Sequence, residues 1–247
     1  MKTLSYILYR VIRFFVWLFY PKIEVVGAEN LPADAPCIAV GNHAQMNGPI
    51  ACELYFPGKK RIWCAGEMMK WKEVPAYAFS DFWSQKPKWQ QPFFRLLSYL
   101  ITPLCVCVFN NASTLPVYHD KRYLTTVRAT LKHMAEGESM VIFPEKDEKA
   151  NHILYAFQDR FVDIAKMHYK KTGQAVKFVP FYLAPKLKKL YIGPAVDFDP
   201  EAESRGERER ICRALHETIT HMAVSLPRHT VIPYRNIPKK DYPKNRP

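Results

Sequence analysis

This chain of 247 residues predicts an α/β fold: a mixed, mostly parallel sheet in a single domain, flanked by helices and preceded by an amphipathic membrane-surface helix. Three observations carry the prediction. Short apolar runs bounded by turn residues, such as CIAVGN, SMVIFPE and KFVPFYLA, read as buried strands. Between them lie stretches with apolar residues at helical spacing, and the two kinds alternate along the chain. The hydrophobic share of 48% is enough to build a substantial core.

In chain order, residues 1–20 are strongly apolar yet carry Arg10 and Arg13. At ~100° per residue, Lys2, Tyr6, Arg10, Arg13 and Trp17 share a narrow face, with Leu4, Ile7, Leu8, Val11, Phe14, Phe15 and Leu18 opposite. A spanning helix needs ~20 apolar residues and loses roughly 2.5–3.5 kcal/mol per central arginine, so the pattern favours lying flat in the interface over crossing it. The competing reading packs the same wide apolar face on the rest of the protein. KIEVVG then reads as a strand, AENLPADAP as a polar connection, CIAVGN as the next strand, and residues from Pro49 as a helix capped by Asn47 or Gly48. Residues 57–112 mix Trp63, Trp71, Trp83 and Trp89 with lysines and prolines. Three readings stay open there: an interfacial aromatic belt, a base-stacking platform, or an irregular core with a solvated rim.

TLPVY reads as a strand, followed by a helix from about Lys121 to Glu136 and the strand SMVIFPE, with Pro144, Glu145 and Lys146 at its strand-to-loop end. A helix over 154–171 turns Phe157, Phe161 and Ile164 inward; two further strands, KFVPFYLA and KKLYIGPAVDF, and a long helix from about residue 201 to 226 follow. The expected division is therefore an interfacial helix at 1–20, an α/β domain at 21–226, and a basic, proline-containing tail at 227–247, extended or partly disordered.

The formal charge of +13, from 36 basic and 23 acidic side chains, favours anionic partners without choosing among phospholipid head groups, nucleic acid and phosphorylated small molecules. No helix-turn-helix, zinc-finger or RNP pattern supports nucleic acid. The six cysteines are scattered in apolar runs and lack metal-ligand spacing, so they read as small buried hydrophobes, with no metal site.

Polar chemistry gathers at three strand ends: GNHAQMNGP around His43, STLPVYHD with His119 and then Lys121 and Arg122, and VIFPEK with Glu145 and Lys146. With KFVPFYLA, these stretches in this order resemble the four motifs of the glycerolipid acyltransferase family, which includes the lysophosphatidic acid acyltransferases; the resemblance covers roughly residues 1–200. It implies that His43 takes a proton from an acceptor hydroxyl, which attacks the thioester of acyl-CoA or acyl carrier protein, with no permanently bound cofactor. It implies a lipid or glycerol phosphate acceptor, and a peripheral or monotopic enzyme on the cytoplasmic face of the cell membrane. A helix starting near Pro49 would add backbone N–H groups for phosphate or an oxyanion.

The pattern departs at three places. The family's HxxxxD aspartate falls on Gly48, its second-motif arginine on His119, and the glycine of FPEG on Lys146. Asn47, and secondly Gln45, offer amides to the imidazole, and a carboxylate from elsewhere, such as Glu53, Glu145 or Asp147, would supply negative charge. The expected site is therefore His43, Asn47 and Glu145 for the chemistry, with Gln45, His119, Lys121, Arg122 and Lys146 contacting substrate. A lipid-binding protein that keeps the fold without the chemistry is the alternative.

Overall fold

The computed structural model describes residues 2–246. In chain order the elements are α1 (Lys2–Phe19), β1 (Glu24–Val26), β2 (Cys37–Gly41), α2 (Asn47–Tyr55), β3 (Lys60–Ala65), α3 (Val74–Ala78), α4 (Gln91–Leu100), α5 (Thr102–Asn111), β4 (Thr114–Val117) and α6 (Tyr123–Ala135). They continue as β5 (Ser139–Ile142), β6 (Glu145–Lys149), β7 (Tyr155–Phe157), α7 (Asp163–Thr172), β8 (Lys177–Ala184), β9 (Lys189–Ile192), β10 (Val196–Asp197) and α8 (Ser204–Ser225). The main sheet runs β1-β9-β8-β2-β5-β3-β4, with β10 on β8. Pairs β1–β9, β2–β8, β2–β5 and β3–β5 are parallel, whereas β8–β9 and β8–β10 are antiparallel. This is the mixed, mostly parallel sheet flanked by helices that the sequence predicts. By their contacts, residues 2–21 with 63–126 form one compact unit and 22–62 with 127–246 a larger one, each described by itself.

In the larger unit the central strands are apolar throughout because helices cover both faces of a parallel sheet. All five residues of β2 are buried, as are seven of the eight in β8. Gly41 ends β2 where an added Cβ would strike the Phe181 ring on the neighbouring strand, so the close approach requires glycine. A second cluster joins Ile153, Leu154, Tyr182, Ile219, Ala223 and Val231.

Two expectations are corrected here. Glu145 does not stand in a loop: it opens β6, which pairs antiparallel with β7, and the helix expected from 154 begins only at Asp163. The physical reason is that Glu145 and Asn151 take the backbone N–H groups of Ile153, Leu154 and Tyr155 with their side chains, which holds that stretch out of a helix. Nor is the C-terminal segment a loose tail. Val231 is 1% exposed within the core cluster, and Asn245, fully buried, donates to the Ala223 carbonyl at 2.8 Å.

In the smaller unit, α3, α4 and α5 gather around a core of Met68, Val74 and Ala78. Helix α1 packs on α5 by a narrow strip: Asn111 Nδ2 donates to Ser5 Oγ at 2.8 Å, and Tyr9 is buried. The wide face stays uncovered, with Leu4 at 73% and Phe19 at 79% exposure and Ile7, Leu8, Val11, Phe14, Phe15 and Leu18 also exposed. The reading that buries this face on the protein is therefore excluded. Phe93, Leu96 and Leu100 make a second exposed stripe along α4. No single described helix is long and apolar enough to cross a membrane; the pair α4 and α5, bent by 47°, passes the length and composition test only jointly.

Candidate active site

The parallel register Val40↔Ile142 between β2 and β5 brings their following residues side by side, and so His43 next to Phe143 and Glu145. Asn42 fixes where β2 stops. Its buried side chain donates to the Leu183 carbonyl at 3.0 Å and accepts from the Leu183 N–H at 2.7 Å, extending the ladder with β8 by a side chain. Beyond it the chain turns sharply: Ala44 and Gln45 hold φ of 47° and 56°, a left-handed pair of non-glycine residues. Such conformations cost about 1–3 kcal/mol each and persist where surrounding bonds over-determine them. Here the Asn47 N–H and Nδ2 both donate to the Ala44 carbonyl, at 3.1 and 3.0 Å, and the Gly48 N–H donates to the His43 carbonyl at 2.9 Å.

Glu145 is 4% exposed and grips the backbone. Its Oε1 accepts from the His43 N–H at 2.7 Å and its Oε2 from the Tyr155 N–H at 2.9 Å. Burial pushes its carboxyl up to about 7, against the opposing pull of these two donors. The residue is thus a buried staple between the turn after β2 and the start of β7, and it does not bond the imidazole.

The His43 ring sits edge-to-face with Phe143 at 5.1 Å and with Tyr234 at 5.8 Å between centroids. Although the residue is partly exposed, its Nδ1 is sealed without a hydrogen-bonding partner. Burial lowers its pKa to about 4, with the Gln45 backbone acting weakly the other way, so the imidazole is neutral at pH 7. The position the sequence aligns with a partner aspartate has no space for one. A Cβ on Gly48 would lie 2.4 Å from the His43 carbonyl oxygen and 2.8 Å from Phe143 Cε1.

The structure brings His43, Gln45, Asn47 and Glu145 together, and the side chains of the last three bond backbone groups and the C-terminal segment. Asn47 ties its own turn through Ala44. Gln45 donates to Tyr242 Oη at 2.9 Å and to the Arg235 carbonyl at 3.1 Å, anchoring the C-terminal segment. The N–H groups expected at the start of α2 are already taken: Asn47 and Gly48 as above, Ile50 by Met46, while Pro49 has none. Asp147 pairs with Arg235 at 2.9 Å and Lys146 with Glu148 at 2.6 Å.

The remaining residues lie in the smaller unit. Arg122 is held by Glu73 at 2.8 Å, Asp120 at 2.8 Å and Glu67 at 3.8 Å, with its guanidinium 4.0 Å from the Tyr118 ring centroid. Hydrogen bonds to Asp120 and Glu73 raise its pKa further and engage its Nε–H and Nη1 donors. His119 and Lys121 are exposed.

Sequence reasoning missed Asn42, Phe143 and Tyr234. Phe143 stood in view as the first residue of the FPEK stretch, whereas Tyr234 had no local signal in a segment whose composition suggests disorder.

The fold is similar to that of a solved structure described as the 1-acyl-sn-glycerophosphate (LPA) acyltransferase, PlsC, from Thermotoga maritima. The two chains are 18% identical, with a TM-score of 0.50 over 84% of this chain and 73% of that one. At this identity the likeness shows the fold. No family model matches the chain, and no curated protein does.

Proposed function

We propose that this chain is an acyltransferase of the glycerolipid type, with His43 as general base. The nitrogen available to an acceptor is Nε2, because Nδ1 is sealed. Nε2 takes the proton of an acceptor hydroxyl, whose oxygen attacks the thioester carbonyl of acyl-CoA or acyl carrier protein. The tetrahedral adduct collapses with cleavage of the C–S bond, the imidazolium returns its proton to the sulfur, and an ester and a free thiol leave. Such proton transfer contributes roughly 10² to 10⁴ in rate. The single observation behind the reading is the pinning of the His43 backbone to Glu145 at the adjoining ends of β2 and β5, where the two most recognisable motifs meet. The activity printed for the structural neighbour agrees with it.

The reaction is slower than one with a carboxylate behind the imidazole. In the serine-protease triad, the handiest comparison, replacing that carboxylate costs about 10⁴ in kcat. The exposed wide face of α1, together with the net charge of +13, supports a peripheral position on an anionic membrane surface, which we place on the cytoplasmic side.

Gly48 and the unpartnered Nδ1 favour a second reading, a lipid-binding protein without chemistry on the same fold. Thioester consumption across a panel of lysolipid and glycerol phosphate acceptors separates the two: the enzyme releases thiol and the binding protein does not.

A further inference from the structure

The residues from His229 to Asn245 form a closed loop with a fixed stem. Thr230 bridges Lys244, the Val231 N–H donates to the Pro243 carbonyl at 2.9 Å, and the Asn245 N–H donates to the His229 carbonyl at 3.1 Å. His229 completes the stem. Its Nδ1 lies 2.8 Å from the Pro227 carbonyl, which can only accept, so Nδ1 carries the hydrogen and Nε2 accepts from the Tyr182 hydroxyl at 2.9 Å. The stem therefore roots in the buried end of β8, and the tip extends over the turn that carries His43. Compact loops with joined ends are frequently functional.

Three contacts hold the tip down: Gln45 with Tyr242, Gln45 with the Arg235 carbonyl, and Arg235 with Asp147. Between them Tyr234 presents its ring to the imidazole at 83°, nearly perpendicular, while also packing on Tyr155 at 5.6 Å. An imidazole that no side-chain hydrogen bond orients turns about χ2 unless neighbouring atoms block it. Phe143 blocks it from a ring that the core fixes through Phe181, at 5.8 Å, and Tyr234 is the other ring that does so.

We propose that Tyr234, delivered by the C-terminal loop, is the positioning residue of His43, fixing by an edge-to-face contact the ring orientation that a carboxylate at position 48 has no space to fix. The proposal rests on His43 being the base. It also assigns the loop a purpose: Gln45, one of the strained residues beside His43, is bonded to it directly, so the turn and its aromatic cover are set as a unit.

The test uses the full chain with ¹³C-labelled histidine, the His43 ring signal being identified by its absence in His43→Gln. Wild type is expected to titrate well below an ordinary histidine, and Tyr234→Ala to move that midpoint up by about one unit or more as the ring gains water. Tyr234→Phe, which keeps the ring edge, holds the midpoint near wild type. In acyl transfer, Tyr234→Ala lowers kcat by roughly 10- to 100-fold with KM little changed, and the phenylalanine recovers most of the loss. Tyr234→Leu fills the space without an aromatic ring and repeats the test if the alanine variant does not fold. The proposal is overturned if folded Tyr234→Ala or Tyr234→Leu leaves the His43 titration and kcat where they were. A wild-type protein that transfers no acyl group while its His43 signal responds to Tyr234 sinks the acyltransferase reading and leaves the orienting contact standing.

Discussion

Restoring the aspartate at position 48 is the obvious attempt to strengthen this site, and the geometry predicts that it fails. The smallest probe is Gly48→Ala. Its methyl group would lie 2.4 Å from the His43 carbonyl oxygen and 2.8 Å from Phe143 Cε1, and neither is the loose end of a flexible side chain. That carbonyl accepts the Gly48 N–H within a turn already bent by left-handed Ala44 and Gln45, and Phe143 is wedged against Phe181. Overpacking of this kind costs about 1–3 kcal/mol, offset in part by alanine's advantage over glycine in a helix, up to ~1 kcal/mol. A net loss of about 1–2 kcal/mol lowers the melting temperature by about 2–8 °C in a protein of this size. Gly48→Asp loses more, because it adds a carboxylate facing the Phe143 ring, and its transfer rate falls with the displaced His43. Thermal unfolding followed by circular dichroism, beside thioester consumption, reads both effects. An aspartate variant that melts with wild type and transfers faster would refute the reasoning.

Three further outcomes follow from the same geometry. Glu145→Gln replaces one acceptor oxygen by an NH₂ that cannot accept, leaving the His43 or the Tyr155 N–H unsatisfied at a cost of about 1–3 kcal/mol in urea unfolding; no change in the midpoint would contradict the staple. In pH, Glu145 raised from 4.5 to about 7 makes stability fall as pH rises over that span, and His43 lowered from 6.5 to about 4 makes it rise between 4 and 6.5. The two slopes oppose each other in wild type, so His43→Gln should uncover a decline of up to about 1.4 kcal/mol per pH unit between 4.5 and 6.5, and a variant as flat as wild type removes the buried acid from the account. For the membrane face, Phe14→Ser with Leu18→Ser should weaken pelleting with anionic vesicles by roughly tenfold or more, since burying either side chain contributes about 1.5–3 kcal/mol; unchanged pelleting would move the contact elsewhere.

The central strands were legible because each is buried on both faces and its sequence says so: CIAVG and KFVPFYLA contain little that a solvated surface would keep. The pair β6 and β7 was not, since EKDEK has no apolar alternation and its first residue is held by two backbone donors from elsewhere in the chain. The C-terminal loop misled for a related reason. Its composition is that of a disordered tail, yet a few long-range contacts, among them Asn245 on the end of α8 and Tyr242 on Gln45, order it. At the site, the nearness of His43 and Glu145 was readable from the order of motifs at strand ends, but their relation was not. A sequence shows that a carboxylate is close; it does not show whether the carboxylate faces a ring nitrogen or a backbone N–H. Arg122 illustrates the same limit, as its three carboxylates converge from positions 67, 73 and 120.

The most direct test of the account is thiol release from an acyl thioester by the purified full chain, with a panel of lysolipid and glycerol phosphate acceptors, beside His43→Ala. Wild type is expected to show acceptor-dependent release, and the variant a loss of roughly 10²- to 10⁴-fold. Equal release by both proteins, or none by either with any acceptor, contradicts it.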